Sequence, residues 1–121
     1  MPTSTQDAVA AIDVAIAVYE ASKAKLEDII SENNFTGMDS SEEIAEVAHL
    51  DAEIQTQENR RVHFAAATVV ASAPSATEIA EMRGLIIQIQ ELSTADAVRR
   101  ETLQFLQNAL ARASEFAGRV S

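Results

Sequence analysis

Glu46 and His49 are the two residues of this sequence that come closest to a metal-binding pair. Residues three apart on a helix project from the same face, and di-metal four-helix proteins use a Glu-x-x-His motif for that reason. Such sites need two of these motifs and glutamates from two further helices, whereas this sequence has one motif. We therefore predict no bound metal or cofactor and keep a carboxylate and histidine metal-binding bundle as an alternative. Its further oxygen ligands would come from Glu20, Glu27, Glu81, Glu91 and Glu101.

The other reactive residue types form no catalytic set. His63 is not accompanied by a glycine-flanked serine or a comparable nucleophile, as a catalytic base requires. The three glycines, Gly37, Gly84 and Gly118, are too far apart to form a phosphate-binding loop. The absence of cysteine excludes disulfides and thiolate metal sites. These observations predict a protein that is not an enzyme.

Acidic residues are concentrated in the first half of the chain. The net charge is −10, and residues 1–60 carry all of it, because residues 61–121 contain equal numbers of acidic and basic side chains. One stretch, which we call the acidic block, has no lysine or arginine, although like charges at helical spacing destabilise an isolated helix by a few tenths of a kcal/mol per pair. The acidic block comprises Glu42, Glu43, Glu46, Asp51, Glu53 and Glu58.

This charge pattern predicts the class of partner. An acidic surface repels nucleic acid and attracts basic proteins, so we expect the acidic block to bind a basic protein partner. The predicted function is that of an adaptor, accessory, chaperone or immunity-type protein, in a style typical of bacteria and phages. An alternative function is that of an acidic mimic of nucleic acid. The acidic charge also has two explanations that need no partner: it serves solubility alone, or neighbouring helices supply cations that pair with it. No apolar stretch reaches the roughly 18 residues of a membrane span, and we expect a cytoplasmic protein.

Helix start and stop signals divide the chain into four helices. Alanine, glutamate, glutamine, leucine and isoleucine, most of them strong helix formers, are frequent, and the chain contains only two prolines. A hydroxyl residue followed three positions later by an acid or amide is typical of a helix N-terminus, and Pro74 ends a helix. We predict helices at 5–33, 41–71, 76–92 and 94–119, within one domain of residues 1–121. The paired residues are Thr3 with Gln6, Ser40 with Glu43, Ser75 with Glu78 and, more weakly, Ser93 with Asp96.

Apolar stripes on these helices predict an all-α fold, an antiparallel bundle with coiled-coil-like packing. The second helix is the exception, because between Asp51 and Arg61 only Ala52 and Ile54 are suited to a core. In the third helix, Gly84 is predicted to allow close helix packing. Three residues off its main stripe favour a homo-oligomer, most simply a dimer, because exposed apolar patches often mark interfaces. The stripes are Val9, Ile12, Ile16, Tyr19, Leu26 and Ile30, then Ile79, Met82, Ile86 and Ile89, then Leu103, Leu106, Leu110, Ala113, Phe116 and Val120; the residues off the stripe are Leu85, Ile87 and Leu92.

Overall fold

A computed structural model describes residues 4–121 and shows an all-α bundle, as the sequence predicts. The break predicted near Ser93 is present: α3 ends before it, and a single 3₁₀ turn, Asp96–Val98, precedes the last helix. Residues 4–121 therefore form four α-helices. They are α1 (Thr5–Thr36), α2 (Ser41–Ala66), α3 (Ala76–Gln90) and α4 (Arg99–Gly118).

The helices alternate in direction, as contacts at their ends show. The Thr5 hydroxyl at the start of α1 donates to the Ala67 carbonyl just after α2, so α1 and α2 are antiparallel. Arg119, after α4, pairs with Glu78 in the first turn of α3, which makes α3 and α4 antiparallel as well. Asn33, near the end of α1, binds Arg99 at the start of α4, so α4 is antiparallel to α1 as well. α2 and α4 therefore run parallel to each other, and both pack against α1.

α1 is the central helix of the bundle and contacts each of the other three. The predicted single stripe on α1 is therefore too narrow, because a helix with three neighbours is buried on several faces. Val14 and Val18, which lie outside that stripe, are buried. Small residues near its start are fully buried and allow the neighbouring helices to approach closely. These residues are Ala8, Ala11 and Ala15.

The predicted capping residues are confirmed in one helix and corrected in another. Ser75 and Glu78 form a complete capping box at the start of α3. Ser40, by contrast, makes no capping bond to α2, because its buried hydroxyl accepts a hydrogen bond from Asn33 instead. The Asp39 carboxylate accepts from the Ser41 N–H in its place.

Caps at the other two helices also differ from the sequence pattern. Ser4 caps α1 by accepting from the Asp7 N–H, and the predicted Thr3 pairing lies outside the described residues. Ser93 accepts from the Ala95 N–H and does not cap α4, which begins later than predicted.

α2 ends at Ala66, five residues earlier than the predicted residue 71. The backbone beyond it instead pairs with the last residue of the chain. The N–H groups of Ala71 and Ser72 donate to the Ser121 carbonyl, and the Ser121 N–H donates to the Ser72 carbonyl. A long-range backbone pairing of this kind satisfies groups that a longer helix would have satisfied, and the local sequence does not reveal it.

Two interpretations of α3 are wrong. Gly84 does not mediate close packing, since a Cβ atom at this position would meet no atom of residues 4–121 within 4 Å. Leu85, predicted to be exposed, is 3% exposed and lies in the core. Of the three residues that favoured an oligomer, Ile87 is exposed and Leu92 is partly buried, so the homodimer stays a prediction on a smaller apolar surface.

We expect Gly84→Ala to raise the free energy of unfolding by about 0.5–1 kcal/mol. Alanine restricts the unfolded chain and favours the helix, and the site has room for its methyl group. Gly37 is the matched control, because its φ of 77° is a left-handed conformation and alanine should destabilise there. Urea unfolding of the two variants measures both effects, and a destabilised Gly84→Ala protein would restore a packing role for this glycine.

Candidate functional site

The acidic block lies on α2 outside the fully buried face of this helix. Leu50, Gln57 and Phe64 form the buried face of α2, and Ile54 packs against the core beside them. Gln57 was missed by the sequence pattern, which selected the exposed Ala52 instead. The six carboxylates divide into those that are largely exposed and those that are half-buried. Glu42, Asp51 and Glu58 are exposed, and Glu43, Glu46 and Glu53 are half-buried.

Four of these carboxylates line a groove between α2 and α4. The two helices both pack on α1 but have few close backbone contacts with each other, which leaves the space between them open. Two cavities of about 150 and 220 Å³ occupy this space and share Glu46 and Leu110. We call the combined feature the α2–α4 groove. Its lining is Glu42, Glu43, Glu46, His49, Leu50 and Glu53 from α2, Leu103, Leu106, Gln107, Leu110, Ala111 and Ser114 from α4, and Tyr19 and Leu26 from α1.

A buried amide closes one end of the groove. Asn33, near the end of α1, is 1% exposed and accepts a 2.6 Å hydrogen bond from Arg99 Nη1 at the start of α4. Its Nδ2 donates to the Ser40 hydroxyl at 3.0 Å, which lies directly before α2. Asn33 thereby fixes the first residues of α2 and α4 relative to each other.

Arg60 on α2 closes the opposite end. Its guanidinium donates to the carbonyls of Ala117 and Val120, both at 2.9 Å, at the C-terminus of α4. The same group donates to Gln57 Oε1 at 2.8 Å and lies over the Phe64 ring, 5.6 Å from its centroid. A cation at a helix C-terminus also interacts favourably with the helix dipole. α2 and α4 are therefore linked at both ends of the groove and separated between them.

The fold supplies a cation to one member of the acidic block. Lys23 Nζ lies 2.5 Å from Asp51 Oδ1, and this hydrogen bond raises the pKa of Lys23. The two arginines that follow the block in sequence are engaged elsewhere, Arg60 with α4 and Arg61 with Asp13. Within residues 4–121 the other five carboxylates of the block form no ion pair.

Tyr19 places a polar atom in the floor of the groove. The side chain is 2% exposed, and its hydroxyl has no hydrogen-bond partner among the described residues. Burial raises the pKa of Tyr19 above its ordinary value; the Ser114 hydroxyl facing it acts in the opposite direction but lacks the geometry of a hydrogen bond. The sequence indicated only an apolar-stripe residue, although a lone tyrosine in such a stripe does signal a hydroxyl that needs a partner.

The described part of the fold does not bring together the ligands that the metal-binding alternative requires. Glu46, His49 and Glu53 line the same cavity, but no group of three or more His, Asp or Glu side chains in residues 4–121 is arranged to hold a metal ion. The other histidine, His63, is exposed and packs edge-on against the Phe64 ring, with the centroids 5.2 Å apart.

Comparison with protein families, characterised proteins and solved structures finds no significant similarity to this chain. The candidate site is accordingly defined by its own geometry. No helix between residues 4 and 121 is both long and apolar enough to cross a membrane.

Proposed function

We propose that this chain is a non-enzymatic protein-binding component whose acidic block on α2 binds a basic protein partner. The observation that supports the proposal is that the fold leaves most of the block's negative charge unpaired. Of the six carboxylates, one pairs with a cation in the part of the chain that is described. Cations from neighbouring helices were the main structural alternative to a partner. Within residues 4–121, Lys23 of α1 pairs with Asp51 alone among the carboxylates of the block, Arg99 at the start of α4 binds Asn33, and Arg119 after α4 pairs with Glu78. We place this activity in the cytoplasm.

Exposed carboxylates attract a basic surface over roughly 8 Å at physiological ionic strength, so the interaction should be sensitive to salt. The half-buried members should contribute more than the exposed ones, because charges at partly desolvated positions are screened less. A partner that is itself a nucleic-acid-binding protein would identify the chain as a nucleic-acid mimic, which is a special case of the same proposal.

We expect replacement of Glu42, Glu46, Glu53 and Glu58 by glutamine to reduce recovery of the partner at least tenfold. Affinity capture from the producing cells, followed by mass spectrometry, measures that recovery. Asp51 is left unchanged so that its contact with Lys23 is retained. Binding to the unmodified chain should fall steeply as salt rises from about 50 to 300 mM, since several exposed charge pairs are screened together.

The matched control removes the same amount of charge outside the acidic block. It carries glutamine at Glu20, Glu91 and Glu101 and asparagine at Asp28, four exposed positions. Circular dichroism should show equal helicity in both variants. Recovery of the same basic protein by both variants would show that the acidic block is not the binding surface.

A further inference from the structure

The two walls of the α2–α4 groove differ in chemistry. The α2 wall presents four carboxylates without an ion pair in residues 4–121, and the α4 wall presents leucine side chains. Leu103 and Leu110 are partly buried, so each still exposes apolar surface toward the groove. A ligand that complements both walls needs a basic edge and an apolar edge along the same axis.

The length of the groove along α2 corresponds to a short stretch of α-helix. Glu42 and Glu53 are eleven residues apart on α2, which corresponds to about 16 Å, or three helical turns. An amphipathic helix laid between two parallel helices is a recurrent mode of recognition, with anchors on one face at three- and four-residue spacing. The hydrogen bonds of Asn33 and Arg60 fix α2 and α4 relative to each other, and this preorganisation reduces the entropy lost on binding.

The Tyr19 hydroxyl has no hydrogen-bond partner in residues 4–121 and is able to accept a hydrogen bond from a ligand in the cavity that it lines. A buried hydroxyl without a partner is destabilising, and this one lies in a cavity that Glu46 and Glu53 also line. Arginine has five N–H donors in a planar fork and no acceptor, so one guanidinium is able to donate to the hydroxyl and to a carboxylate at once. Lysine offers a single nitrogen and is less suited to such a divided site.

We propose that the α2–α4 groove binds an amphipathic helix of the basic partner, with apolar side chains on Leu103 and Leu110 and one arginine side chain beside Tyr19. This inference rests on the proposed function and specifies its partner. The carboxylates of the groove select a basic helix over an acidic one, and the leucine wall selects an amphipathic helix over a uniformly charged one.

The test uses three fluorescent 18-residue peptides and the intact chain. The first peptide is a Leu, Ala and Arg amphipathic helix, the second replaces Arg by Lys, and the third is a scrambled sequence of the same composition as the first. Fluorescence anisotropy should show binding in the order Arg, Lys, scrambled, with at least a tenfold difference between the first and the last.

Two variants locate the bound peptide. Ala111→Phe places a ring in the groove from an exposed position and should weaken binding at least tenfold, whereas Ala80→Phe, exposed on α3 outside the groove, should have no effect. Tyr19→Phe should weaken binding of the arginine peptide about threefold to tenfold and leave the lysine peptide less affected. The melting temperature of Tyr19→Phe should stay the same or rise, because it removes an unpartnered buried hydroxyl.

The outcomes separate the two proposals. Equal binding of all three peptides, no binding at millimolar concentration, or unchanged binding in both Ala111→Phe and Tyr19→Phe would each overturn the groove assignment. If partner capture is still lost in the variant with glutamine at Glu42, Glu46, Glu53 and Glu58, the acidic block remains the binding surface and only the groove is rejected. If capture is retained there, the proposed function itself fails.

Discussion

Asn33→Ala should lower the free energy of unfolding by about 3 kcal/mol, an effect far larger than the surface position of most asparagines would suggest. The substitution removes the acceptor of Arg99 and the donor to Ser40 together, in a region where water replaces them poorly. Hydrogen bonds to charged groups contribute about 1.5–3 kcal/mol, and the Arg99 bond is of this type. Urea unfolding followed by circular dichroism measures the change.

Asn34 is the matched control for this prediction because it has the same side chain and is exposed on the same helix. Asn34→Ala should change the free energy of unfolding by less than about 0.5 kcal/mol, as is typical of surface substitutions. If the two substitutions lowered the free energy of unfolding equally, the loss would come from removing an asparagine near the helix end. The contacts of Asn33 with Ser40 and Arg99 would then not be its cause.

Several of the features that the sequence predicted correctly depend on neighbouring residues. Ser75 and Glu78 lie three positions apart and form their capping box from local geometry alone. The break predicted near Ser93 is present, although Ser93 does not cap the next helix and α4 begins later, at Arg99. Pro74 lies between the second and third helices as expected, but it does not end α2, which already ends at Ala66.

Features that depend on distant residues were not predictable from the sequence. The extent of burial on α1 follows from its contact with three helices, whereas periodicity indicates only one apolar face. Asn33 and Arg99 are 66 positions apart in sequence, and Arg60 and Val120 are 60 apart. Neither pair has a sequence signature, because each contact depends on how α2 and α4 pack against α1.

The candidate site was partly predicted in the same sense. Charge counting identified the acidic block, since a run without lysine or arginine is visible in the sequence itself. The ion pair between Lys23 and Asp51 could not be predicted in this way, because it depends on the antiparallel packing of α1 and α2. The groove could not be predicted, because it depends on where α4 packs. That packing brings Leu110 opposite Glu46, and no local sequence pattern indicates it.

Arg60→Ala should be similarly destabilising, by about 3 kcal/mol, because one side chain makes three hydrogen bonds. The substitution leaves the carbonyls of Ala117 and Val120 without their donor and removes the partner of the buried Gln57. It also removes the cation from the end of α4 and from the Phe64 ring. Arg60→Lys should recover less than half of the loss, since a single ammonium does not reproduce the planar fork.

Arg61 supplies the control, because it is the next residue on the same helix and forms an exposed ion pair with Asp13. Exposed pairs contribute about 0–1 kcal/mol, so Arg61→Ala should remain close to the unmodified chain in urea unfolding. Arg60→Ala should also weaken binding of the arginine-containing peptide, because α2 and α4 are then linked at one end of the groove only. A loss of stability without any loss of peptide binding would show that the Arg60 contacts stabilise the fold but do not shape the groove.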